Sequence, residues 1–298
     1  IPAVVAGALV LVWTGWTIER NRAWKTEWSL WTDAVAKAPT NPRALATLAL
    51  AHRDRGELDR AVELLRAATR ANPEYHHAYG QLGLALIDQG NLDGALAAFE
   101  RAHALDPTDP QDTYHLGVIY QKLHRPGEAA RAFNDTVRLR PDDAEAHNNL
   151  GALHQEAGQW EDALVEYAAA VRLDPALPHA HYGMARVLEH QGRVEEAMRE
   201  YQSTIQRNPR HVDAHVALAG LYVARGEKAA AVDTFEAALR LAPDVPEGHY
   251  QVGRLLDELD RRPEALAHYR RYLELAPMSQ ANARAWVQAR VRTLEAAR

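Results

Sequence analysis

Residues 146–175 read AHNNLGALHQEAGQWEDALVEYAAAVRLDP. Gly151, Gly158, Ala163, Tyr167 and Pro175 punctuate the stretch, and with conservative exchanges the same punctuation returns 34 residues away on either side. Laid out from Pro42, the period gives seven units without an insertion: 42–75, 76–109, 110–143, 144–177, 178–211, 212–245 and 246–279. Position twenty is Ala in every unit, from Ala61 to Ala265, and position thirty-two is Pro, from Pro73 to Pro277. A period of this length is the mark of an array of supersecondary units rather than of one globule.

Each column has a physical cause. The small residue at position eight (Ala49, Gly83, Gly117, Gly151, Ala185, Ala219, Gly253) and the Ala at twenty let two antiparallel helices approach closely. The large residue at twenty-four (Leu65, Phe99, Phe133, Tyr167, Tyr201, Phe235, Tyr269) fills the space beside them. Gly at fifteen permits the left-handed turn that ends a first helix. Pro at thirty-two stops the second helix, because its ring cannot continue it. His124 and Asp260 replace the turn glycine in two units, where Pro126 and Pro263 are expected to start the next helix instead.

Leu/Gly at seven and eight, Ala at twenty, an aromatic at twenty-four and Pro at thirty-two together resemble the tetratricopeptide repeat family. The resemblance covers about four fifths of the chain and implies an all-α fold: a right-handed α-solenoid of seven helix pairs whose first helices line a concave groove. In the family that groove holds an extended peptide or a partner's helix. A single unit buries its apolar face only against its neighbours, so stability belongs to the array. Residues 280–298 carry Ala283, Val287 and Leu294 at helical spacing and read as a capping helix.

The 298 residues carry 34 basic and 40 acidic side chains of interspersed sign, for a net charge of -6. That leaves no basic footprint for nucleic acid. Cysteine is absent, which excludes disulfides, Cys-zinc sites and thiol chemistry. The first residue is Ile, and the chain reads as a fragment or processed product.

Residues 1–18, IPAVVAGALVLVWTGWTI, hold no charge and end in Trp13 and Trp16. Length and interfacial tryptophans predict a transmembrane helix over 1–19. Residues 20–41 then read as a degenerate half-repeat: Trp24, Trp28, Trp31 and Val35 share one helix face and, in register, take the places of Trp160, Leu164, Tyr167 and Val171. Glu27 falls on the Ala column, and packing does not explain it; it is expected to reach solvent or a partner such as Arg22 or Arg43. Asn21-Arg22, Trp24, Glu27, Leu30-Trp31, Lys37, Pro39 and Asn41 resemble the junction of the transmembrane and tetratricopeptide proteins related to protein O-mannosyltransferases and their bacterial relatives. That resemblance implies a catalytic membrane portion upstream, with the repeats on the periplasmic or otherwise exoplasmic side. No catalytic residue transfers to this chain.

The search for chemistry is short. His147, His181, His215 and His249 hold position four in successive units. Stacked helices lie roughly 8–10 Å apart, so the column reads as semi-buried imidazoles that weaken packing in acid rather than as ligands of a shared ion. His76-His77 and His179/His181 lack a third ligand at helical spacing, so no metal and no cofactor is expected. Asp142-Asp143 and Glu195-Glu196 read as helix-start acids, and the sequon Asn134-Asp135-Thr136 as structural. Positions two, five, nine, twelve and thirteen face the groove. They supply Tyr114, Asn148, Tyr182, Arg186, Tyr250 and Arg254 as candidate peptide contacts, amid Glu145, Glu156, Glu189, Asp213, Asp257 and Glu258. The expected function is a non-enzymatic, membrane-tethered protein-binding scaffold, either the recognition arm of a membrane glycosyltransferase or a single-span adaptor assembling an envelope complex.

Overall fold

The computed structural model describes residues 26–296. Among them, sixteen α-helices and one 3-10 turn follow one another with no strand. After α1 (Glu27–Lys37) come seven pairs: α2 (Pro42–Asp54) with α3 (Leu58–Ala71), α4 (His76–Asp88) with α5 (Leu92–Leu105), α6 (Pro110–Lys122) with α7 (Pro126–Leu139), α8 (Ala144–Glu156) with α9 (Trp160–Leu173), α10 (Pro178–His190) with α11 (Val194–Arg207), α12 (Val212–Ala224) with α13 (Lys228–Leu241), and α14 (Pro246–Glu258) with α15 (Arg262–Leu275). A 3-10 turn, Met278–Gln280, leads into α16 (Ala281–Ala296). The helices divide between two compact bodies, α1 to α7 in one and α8 to α16 in the other, with the division after Asp142.

The turns explain why the pairs are so regular. Gly56, Gly90, Gly158, Gly192 and Gly226 all take positive φ, between 72° and 77°. His124 and Asp260 do not avoid this conformation; they adopt it, at φ 55° and 58°. A non-glycine residue there costs about 1–2 kcal/mol, so the fold holds its turn geometry at the expense of local strain. Pro126 does begin α7, and Pro263 lies in the first turn of α15. Elsewhere Asn41, Asp109 and Asp143 cap the following first helix by accepting backbone N–H bonds.

In the first body Ala61, Ala95 and Ala129 are fully buried, and Leu65, Phe99 and Phe133 fill the interior beside them. At its start α1 lays Trp28, Trp31 and Val35 on that core. Thr26 and Ser29 form a reciprocal capping box at the head of α1. The Trp28 ring meets His52 edge-on at 4.5 Å and Arg55 at 4.2 Å. Trp24, the side chain of Glu27 and the apolar run 1–18 lie outside the described residues, and among the described residues no helix is long and apolar enough to cross a membrane. Asn134 donates to Ala130 O at 2.8 Å and Thr136 is buried within hydrogen-bond distance of Thr113, so both ends of the sequon are used inside α7.

In the second body Tyr167, Tyr201, Phe235 and Tyr269 fill the interior, and α16 closes the last pair with Val287, Val291 and Leu294. Its arginines fasten it. Arg284 donates to Leu273 O and Ala276 O at the C-terminus of α15, where helix carbonyls lack partners. Arg290 grips Asp257 with two bonds of 2.6 and 2.7 Å.

Candidate functional site: an apolar depression on the second body

Positions five, nine and twelve of a first helix lie on one face, one turn apart. On α10 they are Tyr182, Arg186 and Glu189; on α14, Tyr250, Arg254 and Asp257. Between these two polar rows, α12 presents Val216, Gly220 and Val223, with Val216 44% and Val223 41% exposed. This row opens into a depression of about 370 Å³, walled by Val212, Phe235, Leu239, Val245 and Gln251, with Glu247 as its one charged neighbour.

Two glycines and one missing hydroxyl make the depression. A Cβ on Gly220 would meet nothing within 4 Å, so the absent side chain is open volume. A Cβ on Gly248 would stand 2.8 Å from Leu239 Cδ2, so that glycine lets the leucine form the wall. The other three units of this body carry Tyr at position twenty-four, and each hydroxyl donates to position twelve of its own unit. Tyr167 reaches Gln155 at 3.1 Å, Tyr201 reaches Glu189 at 2.6 Å and Tyr269 reaches Asp257 at 3.4 Å. Burial pushes the Tyr167 hydroxyl up to about 12 and raises Tyr201 and Tyr269 further, keeping all three as donors. Phe235 has no hydroxyl, so its position twelve needs no acceptor and can be Val223.

The six contacts expected from sequence are divided between the two bodies. Tyr114 belongs to the first body, where its ring lies 5.8 Å from Phe133. The other five belong to the second. Asn148 is half-buried on α8. Tyr182 is half-buried, its ring 4.5 Å from His211 and 5.8 Å from Tyr201, and Arg186 one turn on is exposed. Tyr250 packs 5.4 Å from Tyr272 and 6.0 Å from Trp286 of the capping helix, with Arg254 over its ring at 5.8 Å. The tyrosines therefore brace the fold. Several of the acids expected around these contacts are already engaged: Glu189 accepts from Tyr201, Glu258 pairs with Lys228 at 2.9 Å, and Arg290 holds Asp257 below the ordinary carboxylate range. Sequence reasoning missed Val216, Gly220 and Val223. The signal was there: the same three positions that yield Tyr and Arg in the flanking units yield two valines and a glycine here.

Models of the tetratricopeptide repeat match residues 46–110, 153–209, 182–246 and 216–279, and a second model of the same repeat matches 86–153. The chain belongs to the tetratricopeptide repeat family. The matched segments do not reach the junction motif at 21–41. Among solved structures it is similar to YrrB, 23% identical over 62% of this chain and 95% of that one, with a TM-score of 0.53. PilF of Pseudomonas aeruginosa is 20% identical over 73% and 98%, with a TM-score of 0.62. A tetratricopeptide repeat protein of Parabacteroides merdae is 19% identical over 85% and 98%, with a TM-score of 0.59. A search of curated proteins finds no match.

Within the tetratricopeptide array the four column histidines behave as two kinds. His147 and His181 each place Nδ1 2.6 Å from a carboxylate of the paired helix, Glu166 and Glu200. His215 donates through Nε2 to Pro209 O while its buried Nδ1 has no hydrogen-bond partner. His249 donates through Nε2 to Pro243 O and faces His268, Nδ1 to Nδ1, at 3.0 Å. A separate grouping lies in the first body, where ligand atoms of His76, Asp109 and Asp112 fall within 4.8 Å of one another.

Proposed function

We propose that this chain is a non-catalytic scaffold that binds a protein segment along the first helices of its second body, with an apolar side chain of the segment seated in the depression on α12. The observation that carries this reading is the pairing of exposed Val216 and Val223 with an open volume of about 370 Å³, between the Tyr182/Arg186 and Tyr250/Arg254 rows. Exposed apolar area set into a polar surface is the usual character of a peptide anchor site, and the flanking Tyr and Arg suit hydrogen bonds to the segment's backbone. YrrB, which is similar in fold, is described as a TPR protein with an unusual peptide-binding site, and that supports the choice of ligand class.

Attachment to a membrane through residues 1–19, an exoplasmic or periplasmic location for the repeats, and a place beside an O-mannosyltransferase-like catalytic portion are the finer parts of the proposal. They rest on the uncharged run 1–18 and on the junction motif. Carbonate extraction of membranes from cells making the full chain tests the tether: release into the soluble fraction would refute it.

The binding claim is tested by selecting displayed peptides on the full chain and on Gly220→Leu, in which the new side chain enters the open volume. Peptides enriched on the parent should share a large apolar residue and lose at least about tenfold in affinity for the variant, the loss of one buried side chain. Equal affinity for both proteins would remove the depression from the binding site.

A further inference from the structure

Position three of a unit is Ala or Gly in six of the seven repeats: Ala44, Ala78, Ala146, Ala180, Ala214 and Gly248. The five alanines are at most 3% exposed, because here a first helix presses on the helices before it. Asp112 holds this position in the third unit and is itself only 3% exposed. A carboxylate in an alanine's place needs a compensating charge.

Its hydrogen-bond partner is His76, with Nε2 2.7 Å from Asp112 Oδ2. Asp109 Oδ2 stands 3.8 Å from the same nitrogen, too far for a hydrogen bond. One imidazole thus faces two carboxylates. The second oxygen of Asp109 accepts from Gln111 N at 2.8 Å, so capping α6 fixes this carboxylate in place. On the neighbouring helix Gly80 has no side chain to stand against Asp112 Oδ1.

We propose that His76, Asp109 and Asp112 bind a divalent transition-metal ion. One imidazole nitrogen and two carboxylate oxygens are a donor set that zinc and its neighbours accept. Bonds of about 2.0–2.2 Å to tetrahedral zinc set ligand atoms roughly 3.4 Å apart. The observed 2.7 and 3.8 Å from His76 bracket that separation, and the ligand atoms all lie within 4.8 Å of one another, so an ion enters with side-chain shifts of up to about 1 Å. It replaces the hydrogen bond, neutralises both carboxylates and ties the N-terminus of α4 to that of α6, one repeat away. Three ligands from the chain leave a fourth position for water or for a group from a partner. Among the described residues no other trio of His, Asp and Glu brings its ligand atoms this close.

The test uses the full chain, stripped with chelator and titrated with zinc by calorimetry, with melting followed at each metal level. The parent should take up one zinc per chain at micromolar or tighter affinity and melt about 5 °C higher when saturated. Cobalt in its place should give the visible absorption of a low-coordinate site. Asp112→Ala restores the residue the column normally holds and should keep the fold by circular dichroism while losing at least about a hundredfold in affinity; His76→Gln should lose as much. No uptake by the parent would overturn the proposal. So would parental affinity and stoichiometry in both variants, which would assign the zinc to other histidines.

Discussion

Replacing Gly83 by alanine sets two known effects against each other. Alanine is a better helix former than glycine by about 1 kcal/mol in a helix interior. The new Cβ, however, would lie 2.4 and 2.5 Å from two ring carbons of Phe99 and 2.9 Å from a third. Carbon atoms in contact prefer separations of about 3.5–4.0 Å, so the ring must retreat by roughly 1 Å. Phe99 is 1% exposed, so a retreating ring must displace packed neighbours. Forcing a methyl into such a core costs typically about 1–3 kcal/mol. Gly220→Ala is the control, because it shares the propensity gain and meets nothing within 4 Å. It should stabilise by about 1 kcal/mol, and Gly83→Ala should fall below it by about 1–3 kcal/mol. Ala49, Ala185 and Ala219 show that the column admits a methyl where the neighbouring side chain is seated for it. Trimming Phe99 to Leu in the Gly83→Ala background should therefore recover part of the loss. Urea midpoints for the three variants, read by far-ultraviolet circular dichroism, decide the matter. Equal shifts for Gly83→Ala and Gly220→Ala would refute the steric argument.

Three further outcomes follow from the second body. Arg290→Met leaves Asp257, whose side chain is 10% exposed, without its bidentate partner. Because Arg290 is itself more than a third exposed, the loss should be a modest ~1–2 kcal/mol at neutral pH. Asp257 is held below its usual range, so the bond's contribution is present above about pH 4 and disappears as pH falls through the lowered value; melting of parent and variant should converge toward pH 3. Burial and His249 depress His268 below the ordinary histidine value, while Glu236 stands 4.0 Å off and Glu264 also acts on it. The folded state then binds fewer protons than the unfolded one, so this group's contribution is complete above about pH 6.5 and is lost below it. His268→Gln should reduce the fall in melting temperature between pH 7.5 and 5.5, and an unreduced fall would clear His268 of the effect. Phe235→Tyr should weaken binding of the apolar-anchored peptides severalfold, since its hydroxyl would face Val223; adding Val223→Gln should recover stability but not affinity, as thermal melts and peptide titrations can separate.

The helices were legible because their causes repeat. Ala at twenty, Pro at thirty-two and Gly at fifteen each act locally, and seven copies leave little room for another reading. The turn strain at His124 and Asp260 was not legible, because the neighbouring prolines looked like a substitute for the left-handed turn, whereas the backbone uses both. The depression on α12 escaped for a different reason: a search for Tyr and Arg finds side chains, whereas the volume comes from side chains that are missing at Gly220 and Gly248. The His76 grouping escaped because third ligands were sought one or two turns along a single helix. Stacked repeats make residues 33 and 36 positions apart neighbours, as Asp109 and Asp112 are to His76. The distance between helix axes that separates identical columns is the distance two facing side chains span.

The hydrogen bond from position twenty-four to position twelve ties the inside of a repeat to its outside. Each buried tyrosine obliges its own helix pair to show an acceptor on the groove, and each buried phenylalanine releases it. The polarity of the proposed binding surface is thus partly decided by residues beneath it. A change of preference can begin in the interior, with the loss of one hydroxyl, and reach the surface afterwards, when the acceptor left idle is free to become a valine. In that sense Phe235 and Val223 are one inherited unit, and the face an array offers can be rewritten one helix pair at a time while the stack that carries it stays as it was.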